Sequence, residues 1–252
     1  MTAAFDAYSV SGEYTAGSAD PYTWTHTPSG TPRGIVIFDQ QSGTSSDHVN
    51  GPVLYGGVAT SRVLIAQDTA TEAAALVAYF LGSGIPTGPQ TVSIDHDTGI
   101  FGTKHAICIS LTGSGDLEVV ASGKAENDQA NPTVTLDSGT RTALKLFGLY
   151  SGQDAIASIT NSAGMTRILA EKWTAGVFCR VYGYRTTPAT GSETVLQTAT
   201  SDDVAMLGLA IAEVEVPPLA PWIGGGFFDE RDSGLVTPRI WLPGESRAPA
   251  YA

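Results

Sequence analysis

Residues 29–38 read Ser-Gly-Thr-Pro-Arg-Gly-Ile-Val-Ile-Phe, and residues 138–147 read Ser-Gly-Thr-Arg-Thr-Ala-Leu-Lys-Leu-Phe. Each stretch is a turn followed by an apolar run of strand length, and the two final Phe residues, Phe38 and Phe147, are 109 positions apart. A segment that recurs further along a chain indicates an internal repeat. The pair therefore predicts a chain built from two sequence-related halves.

Three further pairs of short segments continue the match in the same order. They are 55–64 with 161–169 (which aligns Arg62 with Arg167), 76–79 with 179–182, and 106–111 with 205–210. The number of residues between matched positions decreases slowly along the chain, as expected if loops shorten while strands keep their length. We place the halves at about 8–123 and 131–214, with Asn131-Pro132 as the hinge, inside one domain of residues 1–216.

The pattern of apolar residues predicts strands throughout this domain. Residues 22–27 alternate aromatic residues or His with Thr, so Tyr22, Trp24 and His26 share one face. Residues 34–38 are continuously apolar, which is typical of a buried central strand, and the polar residues 39–51 are predicted to form a loop.

Residues 72–81 contain alanines that would suit a helix, but their match in the second half is strand-like, so we assign a strand there. Many short strands separated by turns indicate a β-sandwich or barrel.

Composition limits the functional classes. The chain has 252 residues, a net charge of −12 and scattered basic residues, which argues against nucleic-acid binding. The first residues, 1–6, lack the features of a signal peptide, and no apolar run reaches the length of a membrane span. We expect a protein that stays in the cytoplasm where it is made or leaves it inside a larger particle.

The residues that could carry chemistry are few. Cys108 and Cys179 lie in apolar runs and are expected to be buried, reduced thiols. Asp95-His96-Asp97 starts like a calcium loop but lacks the rest of that pattern, so an ordinary turn is expected. Hydrolase, zinc-protease and phosphate-loop motifs are absent. We expect no enzyme activity, no metal and no cofactor.

The C-terminal residues 217–252 differ from the rest of the chain. They are rich in proline and lose the strand periodicity, which favours extended conformations. Their large apolar side chains would be costly to leave in water, so we predict an arm that lies along this domain or along a neighbouring subunit. The candidate assembly residues are Trp222, Phe227, Phe228, Ile240, Trp241 and Leu242.

Four short motifs resemble a module of tailed-bacteriophage structural proteins that also occurs in some large bacterial surface proteins. They are Trp24-Thr25-His26-Thr27, the apolar run at 33–37, Val53-x-Tyr55-Gly56-Gly57 and Pro86-Thr87-Gly88. The resemblance covers residues 8–214 and implies a jelly-roll-like β-sandwich. It brings no catalytic residues with it.

Three functional hypotheses remain. The first is a virion structural protein, a homo-oligomer that contacts other virion proteins in the tail, the tail tip or, as a decoration protein, the head surface. The second is a module that binds a host-surface glycan through Trp173, Tyr182 and Tyr184. The third is a glycoside hydrolase or lyase that uses acids such as Glu118 and Glu171.

Overall fold

The computed structural model describes most of the first 215 residues. The described residues are 2–14, 20–42, 48–68, 74–97, 102–127, 130–152, 159–161, 163–172, 179–187, 192–194, 196–197 and 204–215. Residues Met1–Glu215 form one compact unit.

The protein is all-β, and within the described residues the only regular elements are strands. The first half, as we use the term below, comprises β1 (Ala4–Val10), β2 (Tyr22–His26), β3 (Gly34–Ser42), β4 (Leu54–Tyr55), β5 (Val58–Ala59), β6 (Ser61–Asp68), β7 (Ala74–Leu81), β8 (Gln90–Ile94) and β9 (Lys104–Thr112). The second half comprises β10 (Leu117–Glu126), β11 (Thr133–Thr135), β12 (Ala143–Ser151), β13 (Thr160–Asn161), β14 (Thr166–Lys172), β15 (Cys179–Thr187), β16 (Ser192–Thr194), β17 (Leu196–Gln197) and β18 (Val204–Glu213).

Each half contains one large antiparallel sheet of five strands. The first sheet has the order β1-β9-β3-β7-β6, and the second has the order β10-β18-β12-β15-β14. If the five strands of each sheet are counted along the chain, both sheets have the order first, fifth, second, fourth, third. The remaining strands form smaller sheets: β2-β8-β4-β5 in the first half, and the pairs β11-β16 and β13-β17 in the second.

The sheets stack in layers, which is compatible with a β-sandwich architecture. The largest apolar cluster lies between the two large sheets and includes Phe38 from the first and Leu146 from the second. A second cluster lies between the first large sheet and its small sheet. A third packs the second large sheet against residues such as Val134 of β11. Both large sheets are therefore covered on both faces.

This layering explains the continuous apolar runs that dominate the sequence. Val36 and Phe38 of β3 enter the layer between the large sheets, whereas Ile35 and Ile37 face the small sheet. Every residue of β3 is buried. The predicted buried strand is thus confirmed, because a strand with two covered faces needs apolar residues at successive positions. Residues 74–81, whose alanines also suited a helix, form a strand, as predicted.

Each of the four outer strands of the large sheets carries one extra residue, a β-bulge. The extra residues are Asp6 in β1, Val63 in β6, Val120 in β10 and Ile168 in β14. The bulges in β6 and β14 directly follow Arg62 and Arg167, the two arginines that the sequence comparison aligns.

The structure corrects the alignment at the opening pair of segments. Phe38 lies in the layer between the large sheets, but Phe147 lies in the cluster inside the second half. If the sequence alignment is shifted by one residue, Val36 is aligned with Leu146. These two residues lie in the same layer. A one-residue shift exchanges the two faces of a strand, but when both faces are apolar the sequence pattern does not reveal the shift.

The predicted boundary of the first half also needs correction. Residues 117–123 of β10 lie within the predicted span 8–123, yet β10 pairs with β18 in the second large sheet. The connection between the two sheets is therefore residues 113–116, not Asn131-Pro132. β3 also continues to Ser42, into the predicted loop 39–51, because its polar end is paired on both sides with β7 and β9.

Candidate functional site

The predicted assembly residues of the arm lie outside the described residues. This holds for Trp222, Phe227, Phe228, Ile240, Trp241 and Leu242. Their role stays a prediction.

Two of the three aromatic residues proposed for glycan binding are among the described residues, and neither stands free at the surface. Trp173 lies outside the described residues. Tyr182 is completely buried between the large sheets, and its ring lies 5.7 Å from that of Phe38. Tyr184 stacks on Phe5 with 4.9 Å between ring centroids. Tyr182 is therefore wrong as a glycan contact, because its ring fills the core.

The acids proposed for glycoside hydrolysis are too far apart to act together. Glu118 lies on β10 and Glu171 on β14, the opposite edges of the second large sheet. Four strand spacings separate these edges, about 19 Å, whereas paired catalytic carboxylates lie within about 10 Å of each other. Glu118 is bound by Arg141 at 2.8 Å, and Glu171 is bound by Arg180. Glu118 and Glu171, which were named as separate examples, therefore do not form a catalytic pair with each other.

The other candidates from the sequence fall in ordinary positions. Cys108 and Cys179 are buried and are not joined in a disulfide, as predicted. In the turn at residues 95–97, His96 is buried, while the side chain of Asp97 is 57% exposed and lies 3.8 Å from His48. In the part of the chain that the structure describes, His, Cys, Asp and Glu side chains form no group of three that could hold a metal ion.

A buried polar cluster of four side chains lies in the first half, and we call it the Asp39 network: Tyr22, Asp39, Gln41 and His96. Oδ1 of Asp39 accepts a hydrogen bond from the Tyr22 hydroxyl at 2.6 Å. Oδ2 accepts one from Nε2 of Gln41 at 2.8 Å and one from Nε2 of His96 at 2.8 Å. The network ties β2 and the end of β8 to β3.

Burial and charge shape the ionisation of this network. Burial of Asp39 raises its pKa, but the charge of His96 and the three hydrogen bonds outweigh burial and leave the pKa below its ordinary value. For Tyr22, burial and the neighbouring Asp39 carboxylate raise the pKa well above its ordinary value. Both oxygens of the carboxylate are engaged and fully covered. The arrangement therefore suits a structural brace better than a reactive site.

Ser9 and His26 form a second polar contact at the rim of the same half. The indole N–H of Trp24 donates to Oγ of Ser9 at 3.1 Å, and Oγ lies 2.9 Å from Nδ1 of His26. Burial lowers the pKa of His26 to about 4, although the nearby Asp6 acts in the opposite direction. His26 is therefore neutral at pH 7, and the tautomer of its ring sets which of Nδ1 and the Ser9 hydroxyl donates in their hydrogen bond.

The two halves meet at an open groove of about 390 Å³, which we call the junction groove. Its apolar lining is Phe80, Leu81, Leu117, Val119 and Val214, and its polar lining includes Ser61, Ser83, Asp116 and Glu118. A smaller depression of about 290 Å³ shares Gly82, Ser83 and Asp116 with it. The groove is thus built from residues of both halves.

The walls of the junction groove are fixed by the backbone. Leu117 N donates to Gly82 O at 3.3 Å, and Val214 N donates to Asp116 O at 2.9 Å. A Cβ atom at Gly82 would lie 2.0 Å from the Leu117 carbonyl oxygen, so only glycine fits there. The groove is preformed rather than dependent on a flexible loop.

The surroundings of the groove carry more acidic than basic groups. Glu118 and Glu215 both contact Arg141, at 2.8 and 3.6 Å. The Glu213 carboxylate accepts hydrogen bonds from the backbone N and the hydroxyl of Ser114, at 2.6 and 2.7 Å, and these bonds lower its pKa. Asp116 and Glu118 line the groove itself, and Arg141 pairs directly with the carboxylates of Glu118 and Glu215.

No sequence pattern indicates the junction groove, because its lining comes from four separated segments. The Asp39 network had a weak signal. Asp39, Gln40 and Gln41 directly continue an apolar strand, which suggests that the strand extends beyond Phe38 with polar residues inside. Reading these residues as a loop concealed the network.

Comparison with known proteins gives no match to a family model, a curated protein or a solved structure. The resemblance to phage structural proteins therefore rests on the short motifs alone. Among the described residues we find no helix that is long and apolar enough to span a membrane.

Proposed function

We propose that this protein is a non-enzymatic structural component of a tailed-bacteriophage virion, present in several copies that associate through the C-terminal residues 217–252. We assign it to the tail or tail tip, with a decoration protein of the head as the alternative. The motifs around Trp24, Tyr55 and Pro86 support this assignment by their resemblance to the phage module. We expect it in the virion, made in the host cytoplasm, with other virion proteins as partners.

The proposal includes two related jelly-roll-like halves. In the first half, successive strands pass back and forth between the large and the small sheet, as they do in jelly rolls. The identical strand orders of the two large sheets support a common origin, and so do the bulges that follow Arg62 and Arg167. Jelly rolls are frequent in viral coats and in lectins.

The observation that carries the assembly mode is the bulge in every outer strand of the large sheets. Bulges twist an edge strand and interrupt its ladder, which opposes pairing with another chain. The edges of the large sheets are therefore poorly suited to join copies of this protein. A segment outside these sheets, such as residues 217–252, is better suited to join the copies.

Mass measurement in solution tests the proposal. We expect the full-length chain to form a defined multimer and a chain of residues 1–216 to be monomeric. Far-UV circular dichroism of the shorter chain checks that it keeps its β structure. A monomeric full-length chain contradicts self-assembly, and a multimeric shorter chain contradicts the role of the arm.

A further inference from the structure

We propose that the junction groove binds the Arg239–Leu242 stretch of a neighbouring copy. This inference rests on the proposed function, since it names the surface that receives the arm. It is carried by the shape and lining of the groove, by the exposure of Val214, by the length of the chain beyond the groove and by complementary charge.

The groove offers an apolar surface that is unusual on this molecule. Val214 is 44% exposed. Among the large apolar side chains of the described residues, only Tyr8 is exposed to a similar extent. Val214 lies beside Val119 and Leu117 in the groove lining. Covering this surface would stabilise a complex by about 25 cal/mol for each Å² of apolar area removed from water.

The length of the chain beyond the groove permits exchange between copies. The described chain ends at Glu215, next to Val214 of the groove lining. Residues 216–238 separate this point from Arg239, a distance of up to about 80 Å if extended. A compact unit of this size is about 45 Å across. The stretch can therefore reach the same groove on an adjacent copy, and identical copies can each give and receive an arm.

The sequence of the stretch fits the charge and polarity of the groove. Arg239 directly precedes Ile240, Trp241 and Leu242, so one basic residue stands beside three large apolar ones. The groove has an apolar lining with Asp116 and Glu118 in it. Trp and Arg are the side chains that most often dominate binding energy at protein interfaces. A net charge of −12 makes copies of the chain repel each other in general, so a basic residue in the arm favours contact with an acidic groove.

The experiment compares four full-length chains by light scattering after size-exclusion chromatography. Val214→Asp puts a charge into the groove, and Arg239→Glu reverses the charge of the arm. We expect each to weaken the association of copies by about tenfold or more. Tyr8→Asp is the matched control, because Tyr8 is 43% exposed but lies outside the groove lining. It should leave the association unchanged.

A charge swap makes the test specific. Asp116→Arg combined with Arg239→Glu should restore most of the association that Arg239→Glu loses. A Val214→Asp chain that remains as multimeric as the wild type overturns this inference while leaving assembly through the arm intact. Failure of the charge swap overturns it too. A monomeric wild-type chain overturns the proposed function itself, and this inference with it.

Discussion

The two halves share a strand order but have different interiors. Asp39 of β3 pairs with Val77 and Ala106, while Leu149 of β12 pairs with Val181 and Met206, in the corresponding places of the two large sheets. Asp39 is the centre of a hydrogen-bonded network, whereas Leu149 belongs to an apolar cluster. At this position, the same strand order thus accepts either a polar or an apolar side chain.

The difference shows where the architecture is constrained. The layer between the large sheets is apolar across most of its area and is built by both halves together. A change there affects both sheets at once. The inner layers each serve a single half, so a polar network can replace apolar contacts if every group finds a partner. We infer that the shared layer holds the order of the sheets and that the inner layers tolerate different side chains.

The largest expected effect follows from removing the centre of the polar interior. Asp39→Ala leaves Tyr22, Gln41 and His96 without their shared acceptor in a site closed to water. We expect the free energy of unfolding to fall by about 3–5 kcal/mol, as for other broken buried charge networks. Urea unfolding followed by tryptophan fluorescence measures the change.

Two controls sharpen this comparison. Asp97→Ala removes an exposed acid from the neighbouring turn and should change stability by about 0.5 kcal/mol or less. Leu149→Ala, at the corresponding place in the second half, should cost about 2–5 kcal/mol by opening a cavity. If Asp39→Ala is no more harmful than Asp97→Ala, the polar network contributes nothing to the first half.

A smaller effect should appear as a dependence on pH that belongs to His26. The pKa of His26 is about 4 in the folded protein against an ordinary value of 6.5, so the unfolded chain binds the proton more tightly. Its contribution to stability is therefore present above pH 6.5 and is lost as the pH falls towards 4. As the pH falls from 6.5 towards 4, we expect His26 to lower the free energy of unfolding of the wild type by on the order of 2–3 kcal/mol.

His26→Gln is the matched variant, because its amide oxygen can still accept the Ser9 hydroxyl but does not titrate. Thermal unfolding at several values between pH 4 and pH 7 should show a shallower loss of stability in the variant. Equal slopes for the two proteins would show that His26 is not held neutral by burial.

The smallest effect concerns a polar bridge between the halves. Oε1 of Glu126 in β10 accepts hydrogen bonds from the backbone N of Gln67 in β6 and from Nζ of Lys124, both at 2.7 Å. We expect Glu126→Ala to cost about 1 kcal/mol. Lys124→Ala, which removes only the partly exposed ion pair, should cost about 0.5 kcal/mol or less.

Chemical denaturation of both variants tests whether polar bridges or the shared apolar layer hold the two halves together. A loss of several kcal/mol in Glu126→Ala would mean that polar bridges, and not the shared apolar layer, hold the halves together.

The sequence predicted the strands well where all the buried side chains are apolar. Residues 34–38 and 205–210 are strands in the structure, since a two-sided apolar environment leaves a continuous apolar run. It failed where polar residues are buried, because Asp39 and Gln41 look like loop residues until their partners are known. Those partners come from Tyr22 and His96, which are distant along the chain.

The sequence by itself determined the all-β class, the position of most strands and the aligned Arg62 and Arg167 that precede matching bulges. These features depend on local preferences and on the period of apolar residues, which a single chain displays directly. Only the tertiary structure decided the register of the repeat, the transfer of β10 to the second sheet and the junction groove. Each of these depends on which strands pair and which faces meet, and the apolar pattern is the same for both faces of a strand buried on both sides.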